Sequence, residues 1–169
     1  REKRGSMEFI IAESTEDMSR RAADRIASFV EADPSCVLGL ATGTTPIGLY
    51  ACLVDDCAQG KISFADVTTF NLDEYRGLSH DDPQSYHYFM RENFFDHINI
   101  DLNNTHVPDG SNPDAAAACS EYDKIVAAAG YPDLQLLGIG NNGHIGFNEP
   151  DNHFSKGTHC VDLTESTIQ

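Results

Sequence analysis

The stretch "GIGNNGHIGFNEP", residues 138–150, sets one histidine among glycines, with a glutamate five residues later. Its glycines permit backbone turns that a Cβ would block, so His144 can be presented at the end of the apolar run that precedes it. A carboxylate partner such as Glu149 fixes the tautomer of an imidazole and raises its basicity. The two side chains are therefore typical of a proton shuttle that works near neutral pH.

Two other interpretations of His144 stay open. It could be a structural histidine with satisfied hydrogen bonds, although so many glycines in one loop favour a site over a purely structural turn. A metal site would combine His144 with Glu149, His153 and His159, but this spacing matches no standard set of zinc ligands. We therefore expect no metal ion.

A second candidate lies in "FNLDEY", residues 70–75, where Asp73 and Glu74 adjoin at the end of an apolar strand. Neighbouring side chains of an extended chain point in opposite directions, so one carboxylate can face a cleft while the other faces a helix or solvent. Burial in a partly dry cleft raises the pKa of a carboxylate, which suits a general base. The alternative is an exposed acidic loop, the commonest setting for carboxylates.

The third candidate is the turn "ATGTTP", residues 41–46, which opens onto a predicted helix. A helix N-terminus offers free backbone N–H groups beside the positive end of the helix dipole. Thr42, Thr44 and Thr45 add hydroxyl donors, and Gly43 lets the backbone approach a ligand closely. The turn matches neither nucleotide-binding glycine motif, so it predicts a site for a simple phosphate, with a merely capped helix as the alternative.

The rest of the chain predicts the elements that position these stretches. Hydrophobic periodicity and capping residues predict a strand at 7–13, a helix from Ser14 to Pro34, a strand at 36–42, a helix capped by Thr45 and ending at Gly60, a strand at 66–75, a helix at 83–97, a helix at 113–129 and a strand at 133–140. This alternation indicates an α/β fold, a Rossmann-like open parallel sheet with helices on both faces. All three candidate stretches lie at carboxyl ends of strands, where such sheets bind ligands.

Composition narrows the classes of partner. The chain has 11 Lys and Arg against 27 Asp and Glu, a net charge of −16, and no clustered basic face. We therefore expect no nucleic-acid partner and no anionic membrane surface. No apolar run approaches the roughly 20 residues of a membrane span. Five cysteines without CxxC spacing indicate reduced thiols and a cytoplasmic location rather than disulfides or a zinc site.

The length of 169 residues fits one domain with a sizeable core. Residues 1–6 lack the apolar segment of a signal peptide. We interpret them as a cloning remnant ahead of a natural start at Met7, which leaves 7–169 as a single α/β domain.

Taken together, "TGTTPIGLY", "TFNLDEYRGL" with "SYHYFMRENFFDHINI", and "GIGNNGHIGFNEP" resemble the glucosamine-6-phosphate deaminase family. The resemblance extends from Met7 to about residue 160. It implies a Rossmann-like fold and the conversion of glucosamine 6-phosphate and water into fructose 6-phosphate and ammonia, a step of amino-sugar catabolism. It further implies a sugar phosphate as ligand and no metal or organic cofactor, and it leaves both a monomer and a homo-oligomer open.

Residue by residue, the resemblance makes Asp73 the base that takes the proton from C2. His144 would carry the ring-oxygen proton when the pyranose opens, Glu149 would support it, and "TGTTP" would hold the phosphate. Some members of the family carry Asp where this chain has Asn142. Because an amide cannot accept a proton at neutral pH, we assign Asn142 an orienting role.

The chain is shorter than the family's usual extent, and after His144 its one Lys or Arg is Lys156. A sugar-phosphate dianion in a cleft calls for an Arg or Lys clamp, which the family supplies from its C-terminal part. We therefore expect the C-terminal part of the family fold to be missing. We also expect these 169 residues alone to have little or no deaminase activity.

Two rival functions remain. A 6-phosphogluconolactonase-like hydrolase shares the fold and a similar Gly-His turn, although "FNLDEY" and "GFNEP" fit the deaminase pattern better. A sugar-phosphate sensor domain, as in some bacterial repressors, would need a DNA-binding segment. No such segment is visible, and the negative charge opposes one.

Overall fold

The computed structural model describes residues 7–163, so the predicted cloning remnant at 1–6 lies outside the described residues. Its regular elements, in chain order, are helix α1 (Thr15–Ala32), strand β1 (Val37–Leu40), helix α2 (Ile47–Ala58), strand β2 (Thr68–Asn71), helix α3 (Tyr86–Asn93), two short 3-10 turns (Phe95–His97 and Leu102–Asn104), strand β3 (Thr105–His106), helix α4 (Ala115–Ala128) and strand β4 (Leu134–Gln135).

The four strands form one parallel sheet in the order β3-β2-β1-β4. The chain leaves β1 for β2 on one side and later returns to β4 on the other. The gap between the carboxyl ends of β1 and β4 is thus a topological switch point, where open α/β sheets bind ligands. The predicted parallel α/β fold is confirmed.

Helices cover both faces of the sheet, because successive side chains of β1 point to opposite faces. Leu38 and Leu40 pack into the larger core with α1, α2 and α3. Val37 joins Phe70 of β2 and Tyr122 of α4 in a smaller core on the other face. None of the helices in residues 7–163 is both long and apolar enough to cross a bilayer.

The strand predicted at 7–13 is wrong. Residues 7–12 have no regular structure, and Met7, Phe9 and Ile11 are 80%, 84% and 91% exposed. A strand forms only when a neighbour supplies ladder hydrogen bonds. Within residues 7–163, the sheet ends at β3 and β4 without pairing to this segment.

Other differences concern the ends of elements. The helix α2 begins at Ile47, and its cap residue is Pro46, so the side-chain cap predicted for Thr45 is wrong. A turn replaces that cap, because the Ile47 N–H reaches the Thr44 carbonyl at 3.4 Å. Two residues of β3 pair with β2 where no strand was predicted, and β4 is much shorter than 133–140.

The helix predicted at 83–97 begins only at Tyr86, and residues Phe95–His97 form a separate 3-10 turn. Its start is set by two acceptor side chains, those of Glu74 and Ser85. The two carboxylate oxygens of Glu74 accept from the backbone N–H groups of Tyr86 (2.8 Å) and His87 (2.9 Å). The Ser85 hydroxyl accepts from the Tyr88 N–H at 3.0 Å. The negative charge of Glu74 therefore stabilises the positive end of the α3 dipole.

Replacing Glu74 with alanine should lower the free energy of unfolding by about 2 kcal/mol, since charged hydrogen bonds to a helix N-terminus are lost. Urea unfolding followed by circular dichroism measures the change. Glu92, exposed on the same helix, is the matched control; Glu92→Ala should shift stability by less than about 0.5 kcal/mol. Equal effects of the two substitutions would contradict the capping role of Glu74.

Candidate active site at the carboxyl ends of the strands

The turn after β1 meets the amino end of α2 as predicted. Gly43 has a φ of +98°, a conformation that favours glycine, and the space beside its Cα is open. Gly43, Thr44 and Thr45 are exposed, whereas Thr42 is partly buried. Side chains cap the first turns of α1, α3 and α4, but none caps α2. The backbone at the start of α2 can therefore receive an anion from solvent.

Asp73 lies two residues beyond β2 and is partly buried. Burial, followed by the neighbouring charge of Glu74, raises the pKa of Asp73 to about 7, while the Phe147 N–H opposes the shift. Since Glu74 turns away to cap α3, the two adjacent carboxylates point to different surroundings. These opposite directions are the ones predicted for neighbouring side chains of an extended chain.

The loop at 138–150 packs directly against Asp73. Gly146 has a φ of +59°, and a Cβ there would lie 3.1 Å from Oδ2 of Asp73. The ring of the next residue, Phe147, packs at a tilt against Tyr75 and stacks on Tyr86, with ring centroids 4.9 Å and 5.4 Å away. The loop that carries His144 is thereby held at the end of β2.

Tyr86 connects the third stretch to the same cluster. Its phenol is hydrogen-bonded to the hydroxyl of Thr42 in the turn after β1 and to Tyr75, and burial raises its pKa. Sequence reasoning missed Tyr75, Tyr86 and Phe147. The available signal was that Tyr75 and Phe147 lie within candidate stretches and Tyr86 within a segment that carries the family resemblance. Nothing in the spacing indicated that their rings would meet.

His144 is oriented by Asn142. Its ring Nδ1 lies 2.7 Å from Oδ1 of Asn142, and its backbone N–H donates to the same oxygen at 3.0 Å. The Asn142 amide N–H donates to Oε2 of Glu149 at 2.6 Å. An amide oxygen can only accept, so Nδ1 carries the proton and Nε2 is the acceptor nitrogen. Glu149 is therefore linked to the imidazole through Asn142.

The imidazole rests on the backbone of Gly140. A Cβ at this position would lie 2.1–2.4 Å from the ring atoms of His144. The Gly140 N–H donates to the His144 carbonyl at 2.8 Å, and the Gly143 N–H donates to the Gly140 carbonyl at 2.9 Å. These bonds close a tight turn under the ring, and a side chain at 140 would force the ring to move.

A cavity of about 680 Å³ opens beside Asp73, lined also by Tyr75, Phe147 and residues of α4. Its lining includes neither the turn at residues 41–46 nor His144. The structure thus brings Asp73 together with the loop of His144 through Gly146 and Phe147 rather than through this cavity. In the part of the chain from 7 to 163, no group of three or more His, Cys, Asp or Glu is placed to hold a metal ion.

A family model described as glucosamine-6-phosphate isomerases/6-phosphogluconolactonase matches residues 11–157. The chain belongs to this family. It is 54% identical over 163 residues to a glucosamine-6-phosphate deaminase of Halothermothrix orenii, covering 96% of this chain and 68% of the relative. It is 51% identical to glucosamine-6-phosphate deaminase 2 of Bacillus subtilis, covering 96% and 66%. The predicted resemblance to the deaminases is confirmed.

Solved structures agree with this assignment. One described as a monomeric glucosamine-6-phosphate deaminase matches with a TM-score of 0.92 and 45% identity, over 95% of this chain and 67% of the other. A 6-phosphogluconolactonase from Thermotoga maritima matches with a TM-score of 0.68 and 25% identity, over 83% and 63%. The chain spans about two thirds of the length of the curated relatives that it matches.

Replacing Gly140 with alanine should displace the His144 ring and break its bond to Asn142. The measurement is a long-range ¹H–¹⁵N NMR spectrum of the imidazole, which reports which ring nitrogen carries the proton. The parent chain should show the proton on Nδ1, and Gly140→Ala should lose that preference. Gly138→Ala is the matched control, since a Cβ there meets nothing within 4 Å. An unchanged His144 spectrum in Gly140→Ala would contradict the packing described.

Proposed function

We propose that this protein converts glucosamine 6-phosphate and water into fructose 6-phosphate and ammonia, by aldose–ketose isomerisation followed by deamination. The observation that carries the proposal is the carboxyl of Asp73, with its pKa raised to about 7 and the loop of His144 packed against it. Relatives about 50% identical, named as deaminases, support the substrate class.

Asp73 is the proposed base that removes the proton from C2 of the open-chain sugar. General bases work best when their pKa lies near the working pH, because enough of the base is then ionised while it stays basic. An ordinary aspartate near 4 would be a much weaker base. Burial therefore converts a common residue into a suitable catalyst, and the same protonated carboxyl can return the proton to C1.

His144 is the proposed carrier of the ring-oxygen proton when the pyranose opens. With Nδ1 donating to Asn142, the acceptor nitrogen Nε2 is the one that can take and return a proton. In our proposal, Asn142 orients the imidazole ring. Glu149 accepts a hydrogen bond from the Asn142 amide N–H and so opposes rotation of that amide. The substrate amine itself shares in the electron flow, so the chemistry calls for no metal or organic cofactor.

The turn of Thr42, Gly43, Thr44 and Thr45 is the proposed phosphate site. Its support is the uncapped start of α2 and the open space at Gly43. Neutral donors alone bind a dianion less firmly than donors with a cation. Because Lys156 is the one Lys or Arg after His144 in the sequence, we propose that ammonia release by these 169 residues is slow.

The second candidate function, lactone hydrolysis, keeps some support because the family description and the fold both include 6-phosphogluconolactonases. Supplying glucosamine 6-phosphate and 6-phosphogluconolactone separately distinguishes the two. Release of ammonia supports deamination, and faster consumption of the lactone alone would support the hydrolase. The cytoplasmic location and the oligomeric state remain predictions; the solved deaminase noted above is described as monomeric.

The C2 proton of glucosamine 6-phosphate should exchange with deuterium when the chain is incubated in heavy water at high protein concentration. This reaction needs only binding, ring opening and the base, so it detects Asp73 even when turnover is slow. Asp73→Asn should lower the exchange rate at least about 100-fold, the usual contribution of a general base. Proton NMR of the sugar measures the loss of the H2 signal.

Asp66→Asn is the matched control, since Asp66 is exposed and lies two residues before the amino end of β2, whereas Asp73 follows its carboxyl end. It should leave the exchange rate unchanged. Equal exchange by Asp73→Asn and the parent chain would exclude Asp73 as the base. No exchange by the parent chain would contradict a catalytic role for these residues as they stand.

A further inference from the structure

Residues 157–163 form an irregular segment, here called the strap, that crosses helix α4. It is fastened by Thr158, whose backbone N–H and hydroxyl both donate to Oδ1 of Asp123, at 2.9 Å and 2.7 Å. Gly157 has a φ of +75° and lies so close that a Cβ there would be 2.5 Å from Oδ2 of Asp123. The position of the strap along α4 is therefore fixed at Asp123.

This anchor brings two cysteines together. Cys119 lies four residues before Asp123, on the same face of α4 and about 6 Å along its axis. Cys160 lies two residues after Thr158, a distance that extended chain covers in about 7 Å. The two spacings match, and the Cys119 and Cys160 thiols lie within hydrogen-bonding reach of each other.

The two thiols are open to small molecules from both sides of the strap. Both line a groove of about 820 Å³ along α4, and both also line the cavity of about 680 Å³ that contains Asp73. Cys160 is exposed and Cys119 is partly buried, and burial raises the pKa of the Cys119 thiol. Cys160 is accordingly the thiol that a reagent meets first.

We propose that Cys119 and Cys160 form a reversible disulfide, with a low-molecular-weight disulfide as the oxidant. The Cys160 thiolate attacks one sulfur of oxidised glutathione, forms a mixed disulfide and releases one reduced glutathione. The Cys119 thiolate then attacks the Cys160 sulfur and releases the second. Two protein thiols are oxidised, one glutathione disulfide is reduced to two thiols, and excess reduced glutathione reverses both steps.

The bond would act as a covalent latch on one wall of the cavity beside Asp73. In the reduced protein the strap is held to α4 by hydrogen bonds to Asp123, which can open locally. In the oxidised protein the strap cannot leave α4 without breaking a covalent bond. The latch therefore gives the fold a means to respond to the thiol–disulfide balance, whatever substrate the protein takes.

The test incubates the reduced 169-residue chain with oxidised glutathione, blocks the remaining thiols and maps the peptides by mass spectrometry without reduction. We expect one linked peptide pair, joining Cys119 to Cys160, that disappears with excess reduced glutathione. Cys52 and Cys57, also partly buried thiols, serve as internal controls and should stay out of the linkage.

Two variants separate the steps. Cys119→Ser should trap glutathione on Cys160, because no second thiol resolves the mixed disulfide. Cys160→Ser should abolish the linkage and leave Cys119 largely unmodified. The proposal is overturned when the parent chain keeps glutathione on Cys160 with Cys119 free, or links Cys160 equally to other cysteines. The peptide map reads out no catalysis, so its result is independent of the function proposed above.

Discussion

The contact between Gly146 and the carboxylate of Asp73 is the constraint on which the candidate site depends. A side chain at 146 would have to fit within 3.1 Å of Oδ2, in a backbone conformation that favours glycine. This close approach excludes water from one side of the carboxylate and aligns the Phe147 N–H with it. It also fixes the loop two residues after His144, so one packing contact sets both the chemistry of the base and the position of the imidazole.

Burial of Asp73 favours reactivity at a cost in stability. A carboxyl in an unfolded chain ionises near pH 4, whereas in the folded protein the pKa of Asp73 is raised to about 7. Between these values the folded state holds a proton that the unfolded state has released. Stability from this group therefore falls as pH rises through that window, by on the order of 2 kcal/mol after allowance for solvent screening at a partly exposed group. Above pH 7 the site holds an ionised base that the fold does not stabilise well, a common property of catalytic groups.

Sequence reasoning succeeded where local chemistry determines structure. Ser14 caps α1, the sheet is parallel, and all three candidate stretches follow its strands, as predicted. It failed where pairing with a distant strand decides whether a segment becomes a strand, as in the unpaired segment 7–12 and the two-residue β3. The orienting role of Asn142 was inferred from the family resemblance together with the chemistry of an amide. The bond from Tyr86 to Thr42, in contrast, joins residues 44 positions apart and leaves no local trace in the sequence.

The pH at which Asp73 ionises in the folded chain decides whether this carboxyl can serve as the base. Carboxyl ¹³C NMR of protein labelled at aspartate, assigned by comparison with Asp73→Asn, follows this one group as pH is raised. Burial of the carboxyl, followed by the neighbouring charge of Glu74, predicts a midpoint of about 7. A midpoint near 4, the ordinary value for aspartate, would mean that the carboxyl is solvated and would contradict the proposed base.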